Sequence, residues 1–376
     1  MEKILICFGT RPEAIKMCSL VHELKKQHFL VEVCVTAQQR ELLDQVLDFF
    51  QVIPDYDLDI MTQNQTLNLL SSKLFLEFEK VLNKSKPDLV LVHGDTTTSS
   101  ICAWAAFNNK IKIGHVEAGL RTFNKYSPFP EEINRQITGR LSDFHFAPTE
   151  LSKDNLLNEK IDLQNIIVTG NTVIDALFWT INKLESNFTN KIIEKLKSDI
   201  DFSKKIILVT SHRRENFGEG ILNICQALIK ISKLTDVEII FPVHLNPNIL
   251  EPVQKILKNN SNIHLITPLD YPSFVWVMKN SFLIITDSGG IQEEAPSIGK
   301  PVLVMRDTTE RPEAIAAGTV KLVGTNVDVI YNSTMELIND KSLYAKMTMP
   351  KNPYGDGTAN QKIINFLISK NLKSDS

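Results

Sequence analysis

The sequence is poor in several features, and each shortage closes off a class of protein. Cysteine is sparse: Cys7, Cys18, Cys34, Cys102 and Cys225 are odd in number, scattered, and never spaced Cys-x-x-C. Neither a disulfide framework nor a thiolate metal site is expected from such a set. Long apolar runs are missing, and the longest falls far short of the ~20 residues that a membrane span needs. The first run, Ile4–Phe8, has no small-residue cleavage site behind it. It reads as a β-strand rather than a signal peptide, so a cytoplasmic location is expected. An excess of one charge is also lacking. Lysine and arginine total 41 against 44 acidic residues, a net −3, and bulk nucleic-acid binding needs a strong basic excess.

What is present is a globular pattern. At about 100–200 residues per domain, 376 residues imply two domains. A 43% hydrophobic, 23% charged composition suits an ordinary folded chain rather than a disordered one. Unbroken β-branched runs recur at Ile4–Phe8, Val31–Val35, Asp88–His93, Ile111–Val116, Phe144–Phe146 and Ile166–Thr169. They resume at Lys205–Thr210, Val237–Val243, Ile263–Ile266, Phe282–Thr286, Pro301–Met305 and Val320–Val323. Runs without alternation predict strands buried on both faces of a parallel sheet. Leu67, Leu70, Leu74, Phe78 and Val81 have helical spacing between two of them, which is the rhythm of doubly wound α/β folds. The rhythm weakens over 174–203, which predicts a first domain of 1–173, a helical junction, and a second domain of 204–355. Arg11-Pro12-Glu13-Ala14-Ile15 and Arg311-Pro312-Glu313-Ala314-Ile315 follow a strand in each half. They mark either two arginines at similar strand-to-helix turns, facing one cleft, or simply good helix-starting chemistry.

In open α/β sheets ligands bind beyond the carboxyl ends of the strands, so the strand exits carry the candidates. Asp287-Ser288-Gly289-Gly290 ends a strand and opens a helix. The backbone N–H groups and dipole there suit a pyrophosphate, or the glycines serve only the turn. Glu294, one turn on, is placed to accept from ribose hydroxyls. His93-Gly94-Asp95 and His115-Val116-Glu117 end consecutive strands, and alternation predicts that each histidine faces its own acid. Metal binding is not expected, because neither a His-Glu-x-x-His helix nor the Pro-Cys-x-x-Cys partner of a deaminase site exists. Glu131 and Arg135 share a helix face after Ser127-Pro128-Phe129-Pro130, and His212 stands at a strand exit rich in cations, either near a departing phosphate or merely solvated. No Gly-x-Gly-x-x-Gly follows the first strand, and Gly299-Lys300 lacks a Walker context. None of the six tyrosines has a lysine four residues later, which argues against NAD-dependent sugar epimerases. No cofactor is expected.

Gly9–Lys16, Val92–Thr96, Gly114–Thr122, Ser127–Arg135, Val168–Thr172, His212–Asn216 and Asp287–Glu294 together resemble the non-hydrolysing UDP-N-acetylglucosamine 2-epimerases. Asn352–Gly357 fits as well, so the likeness runs from about residue 3 to the C-terminal region. It implies an α/β, glycosyltransferase-B-like fold of two Rossmann-like domains with the active site in the interdomain cleft. It further implies a C-terminal helix, 356–376, returning towards the first domain, and a homodimer. The implied reaction interconverts UDP-GlcNAc and UDP-ManNAc at carbon 2, by anti elimination of UDP to 2-acetamidoglucal and re-addition, for cell-surface polysaccharide. By resemblance Asp95, Glu117 and Glu131 are the acid–base groups, and His212 steadies departing UDP. Arg11, Lys16, Arg135, His244, Ser288, Gly289, Gly290, Glu294 and Arg311 would contact substrate. Gln38, Glu41 and Arg213 match the region where many bacterial members bind a second UDP-GlcNAc as activator. There, Glu41 and Asn64 replace an amide and a basic residue, and Phe129 replaces a frequent tryptophan. A hydrolysing epimerase, an epimerase of a modified UDP-sugar and a non-catalytic UDP-sugar sensor are the alternatives.

Overall fold

A computed structural model describes residues 1–37, 40–62, 65–186, 188–349, 352–370 and 372. The chain divides into two compact units. The first comprises 1–179 with 354–376, and the second comprises 180–353.

The first unit alternates strand and helix: β1 (Lys3–Phe8), α1 (Arg11–Lys25), β2 (Leu30–Val35), α2 (Arg40–Phe50), β3 (Tyr56–Asp57), α3 (Leu67–Ser85), β4 (Leu89–His93), α4 (Thr97–Asn108) and β5 (Lys112–Val116). It continues with α5 (Glu131–Leu141), β6 (Phe144–Ala147), α6 (Glu150–Asn158), β7 (Ile166–Val168) and α7 (Thr172–Glu185), whose end crosses the division. The strands form one parallel sheet in the order β3-β2-β1-β4-β5-β6-β7. Its central strands are buried along their length, as their unbroken apolar runs require. The two-residue β3 was not anticipated, because Tyr56-Asp57 lacks any apolar run to announce it.

The second unit contains α8 (Lys191–Asp199), β8 (Lys205–Thr210), α9 (Glu219–Ile231), β9 (Val237–Pro242), α10 (Pro247–Leu257), β10 (Ile263–Ile266), α11 (Tyr271–Asn280) and β11 (Leu283–Thr286). Then come α12 (Gly289–Ser297), β12 (Val302–Val304), α13 (Pro312–Ala316), β13 (Val320–Leu322), α14 (Val327–Asn339) and α15 (Lys341–Met347). The parallel order β10-β9-β8-β11-β12-β13 is the doubly wound arrangement, reversing between β8 and β11. One apolar cluster runs from Ile207 and Val209 through Phe241, Ile285 and Leu303 to Leu337. The fold is therefore α/β with two Rossmann-like units.

The last helix, α16 (Ala359–Ser369), belongs to the first unit. Asp175 of α7 accepts the first amides of α16, from Ala359 (3.1 Å) and Asn360 (3.0 Å). Asn360 Nδ2 donates to Ser19 Oγ of α1, and Phe366 meets Phe144 and Phe146 edge-on. No helix among the described residues is long and apolar enough to cross a membrane.

Candidate active site

In the first unit the strand exits are stitched together by Glu13. It closes a capping box at the start of α1, accepting from Gly9 N, Thr10 N and the Thr10 hydroxyl. Its other oxygen takes the Thr96 hydroxyl across from the β4 exit at 2.7 Å. Burial pushes its carboxyl upward, against these donors and nearby His93. A side chain on Gly9 would meet Thr36 Oγ1 at 2.0 Å, so only glycine lets this turn lie so close to its neighbours. Arg11 opens α1 directly after it.

Glu117, just past β5, is gripped from three sides. Lys16 of α1 forms an ion pair with Oε2, His93 Nε2 stands 3.1 Å from the same oxygen, and Asn171 Nδ2 donates at 3.3 Å. Burial alone would raise this carboxyl, but Lys16 and His93 outweigh it and hold the group well below the usual range. The expected pairing of each histidine with the acid two residues on does not occur. His93 faces Glu117, while His115 Nε2 bonds the Gly94 carbonyl at 2.7 Å. The cause is backbone: Gly94 (φ 63°) and Glu117 (φ 64°) both turn left-handed, so strand alternation ends before the acids are reached. His115 is buried and stays neutral, its pKa pushed down to about 3 by desolvation.

Asp95 pairs instead with Arg135 of α5 at 2.5 Å, and Asn134 Nδ2 donates to the Asp95 carbonyl. Arg135 also lies 3.4 Å from Glu132. Glu132 is fully buried and accepts from Thr122 N, Phe123 N and Gln136 Nε2, which ties the loop before α5 to the helix. Glu131, the first residue of α5, carries a buried Oε2 that has no hydrogen-bond partner among the described residues. The first unit thus gathers Asp95, Glu117 and Glu131 around the ends of β4 and β5 and the start of α5. Among the described residues no cluster of histidine, cysteine and acidic side chains is placed to hold a metal ion.

In the second unit the chemistry collects where the strand order reverses. Asp287, fully buried after β11, accepts from Ser211 Oγ (3.0 Å), His212 N (2.9 Å), Arg213 N (3.0 Å) and Asn216 Nδ2 (3.0 Å). It also stands 3.2 Å from His212 Nδ1. Desolvation lowers the His212 pKa; Asp287 opposes this, while Arg213, His244 and Arg306 add to it. The ring of His244, after β9, stacks on His212 with centroids 6.1 Å apart.

Ser288 caps α12 by position, yet its side chain makes no capping bond, unlike Thr96 or Thr149 at their helices. A side chain on Gly289 would come 3.2 Å from the Arg311 guanidinium carbon. Arg311 pairs with Glu293 (2.8 Å) and Glu310 (3.0 Å), and Glu294 accepts from the Tyr271 hydroxyl at 3.0 Å. Glu310 gathers Arg213, Arg306 and Arg311, and against its burial Arg311, a backbone hydrogen bond and Arg306 bring its pKa down to about 2.

Gln38 and Asn64 lie outside the described residues, and Glu41 is exposed in the first turn of α2. Sequence reasoning passed over Glu13, Glu132, Asp287 and Glu310 as functional groups. Each is an acid beside a strand exit or helix start, where stabilising the helix is reason enough for its presence.

The family model described as UDP-N-acetylglucosamine 2-epimerase matches residues 22–368. A UDP-N-acetylglucosamine 2-epimerase of Campylobacter jejuni is 54% identical, covering 100% of both chains. The crystal structure of the Neisseria meningitidis UDP-GlcNAc 2-epimerase bound to UDP-GlcNAc superposes with a TM-score of 0.90 at 52% identity, over 98% of this chain and 100% of that one. The Staphylococcus aureus MnaA–UDP co-structure gives 0.86 at 49% identity, over 98% and 96%. The chain belongs to the UDP-N-acetylglucosamine 2-epimerase family.

Proposed function

We propose that the chain is a non-hydrolysing epimerase that interconverts UDP-GlcNAc and UDP-ManNAc. The observation that carries this reading is the trio of carboxylates in three different settings: Glu117 gripped by Lys16 and His93, Asp95 paired with Arg135, and Glu131 with a buried unpartnered oxygen. Carbon 2 of the sugar has no adjacent carbonyl to acidify its proton, so positioned acid–base groups and a stabilised leaving group must supply the rate. In the elimination, the carbon 2 proton passes to a carboxylate, the carbon 1–oxygen bond breaks with its electrons leaving on UDP, and a carbon 1–carbon 2 double bond forms. Re-addition returns a proton to the opposite face of carbon 2 and UDP oxygen to carbon 1.

Glu131 differs from the other two in carrying a buried oxygen with no hydrogen-bond partner among the described residues and no ion pair of the kind that Lys16 makes with Glu117 and Arg135 with Asp95, so we assign it a proton-transfer step at carbon 2. Glu117, held ionised, supplies fixed negative charge beside the reacting carbons, and Arg135 holds Asp95 in register. Ser288, Gly289, Gly290 and Arg311 bind the diphosphate at the start of α12, with His212 against the departing phosphate. Glu294 meets the ribose, and Arg11, Lys16 and His244 complete the substrate contacts. The product feeds cell-surface polysaccharide from the cytoplasm, and the enzyme works as a homodimer. Activation by a second UDP-GlcNAc at Gln38, Glu41 and Arg213 would give a sigmoidal rate curve.

Incubation with UDP-GlcNAc in deuterated water, followed by NMR, tests the reading. Deuterium at carbon 2 with UDP still attached, alongside UDP-ManNAc, is the expected result. Free ManNAc and UDP would mark a hydrolysing enzyme, and no exchange would mark a binding protein. Glu131→Gln should slow the exchange by about 10²–10⁴-fold without loss of folded protein.

A further inference from the structure

His212 is tethered twice to one carboxylate. Its amide donates to both oxygens of Asp287, at 2.9 and 3.1 Å, and its ring nitrogen Nδ1 stands 3.2 Å from Oδ1. A fully buried acid at the reversal point of the sheet is costly unless its oxygens are satisfied. Three further donors, from Ser211, Arg213 and Asn216, satisfy them. Such a carboxylate favours a proton on the ring nitrogen that faces it, because a lone pair there would be repelled. The other ring nitrogen, Nε2, then points away from Asp287.

We propose that Asp287 is a positioning residue for the epimerase reaction, fixing His212 with its proton on Nδ1 so that Nε2 gains a proton as the diphosphate binds and donates to it as UDP leaves. This rests on the role assigned to His212 above. The groups facing the imidazole are Asp287 after β11, Arg213 on its own loop, His244 after β9 and Arg306 after β12. Both arginines are partly neutralised, Arg213 by Glu310 and Arg306 by Glu310 and Glu215. Partial desolvation and the two arginines disfavour a charge on the free ring, whose side chain is still 41% exposed, and an arriving diphosphate reverses the balance. The proton goes from solvent to Nε2 on binding and is shared with the phosphate oxygen freed when the carbon 1–oxygen bond breaks.

Nitrogen-15 spectra of histidine-labelled enzyme read the tautomer directly. The Nδ1-protonated form is expected for His212 in the full chain, and an Nε2-protonated ring would overturn the proposal even if Asp287→Asn failed to fold. Calorimetric titration with UDP in buffers of different ionisation heat should show proton uptake in the parent and less in Asp287→Asn. The kcat of that variant should fall about tenfold to a hundredfold, short of the loss of an acid–base group outright, with KM changing less and the pH profile displaced. Ser211→Ala removes one bond to the same carboxylate without touching the ring. It should cost stability while leaving tautomer and proton uptake alone; an equal effect on both would reduce Asp287 to a loop brace and sink the proposal. Full turnover in His212→Asn would instead defeat the role given to His212, whatever the tautomer.

Discussion

Glu117 keeps its charge because Lys16 and His93 reach it before solvent does. The sign of the consequence follows from the cause. Lys16 and His93 hold the carboxyl low, so removing Lys16 as Lys16→Met raises its pKa, and protonation begins at a higher pH. The acid limb of kcat/KM should therefore move to higher pH while the alkaline limb stays put. An unmoved acid limb would show that Lys16 does not set the charge. This partnership was only half readable. Lys16, His93 and Glu117 all stand in recognisable motifs, but which histidine meets which acid depends on two left-handed residues. One of them is Gly94, where the conformation is cheap; the other is Glu117 itself, where it costs about 1–3 kcal/mol. A strand pattern carries no sign of that second turn. Asp287 was unreadable for a related reason, since its partners lie more than 70 positions earlier in the chain.

At the level of elements, α16 shows how much a short amphipathic segment can carry. Ile363, Ile364 and Leu367 are fully buried, each contributing about 1.5–3 kcal/mol. Ending the chain at residue 357 thus removes a large share of the ~5–15 kcal/mol that holds a protein folded. The truncated chain should lose cooperative melting of the first unit, as followed by circular dichroism. The cap of this helix adds a pH dependence. Burial lifts Asp175 to about 6, against the pull of the two amides it accepts. As pH rises from about 4 to 6, the unfolded chain ionises at this site and the folded one lags, so stability present below pH 4 is lost across that window. Asp175→Asn keeps one of the two accepting oxygens; it should lower Tm but flatten its slope between pH 4 and 6. The strands themselves were legible because fully buried strands leave unbroken apolar runs. β3 was not, because a two-residue edge strand is held by its neighbour β2 rather than by its own composition.

For the whole molecule, the proposed homodimer has a candidate face. Leu69 and Leu76 on α3, with Trp104 and Phe107 on α4, are exposed, and the Trp104 ring meets Phe75. α3 and α4 pack side by side, so these side chains mark one apolar surface of the kind that a second copy covers. Leu76→Glu with Trp104→Glu should halve the mass found by light scattering. A parent already monomeric would reject the dimer, and a variant still dimeric would reject this face. The path of the chain has one more consequence. Residues 180–353 are made before 354–372, yet Asp175 and Ser19 wait for Ala359 and Asn360. On the ribosome, then, the unit that begins first is completed second. Its β6 leaves Phe144 and Phe146 without the Phe366 ring while the whole of the other unit is synthesised. At about 5–20 residues per second, that interval lasts roughly ten to forty seconds. During it Phe144 and Phe146 lack the ring that meets them in the finished fold, and Asp175 lacks the amides that satisfy it.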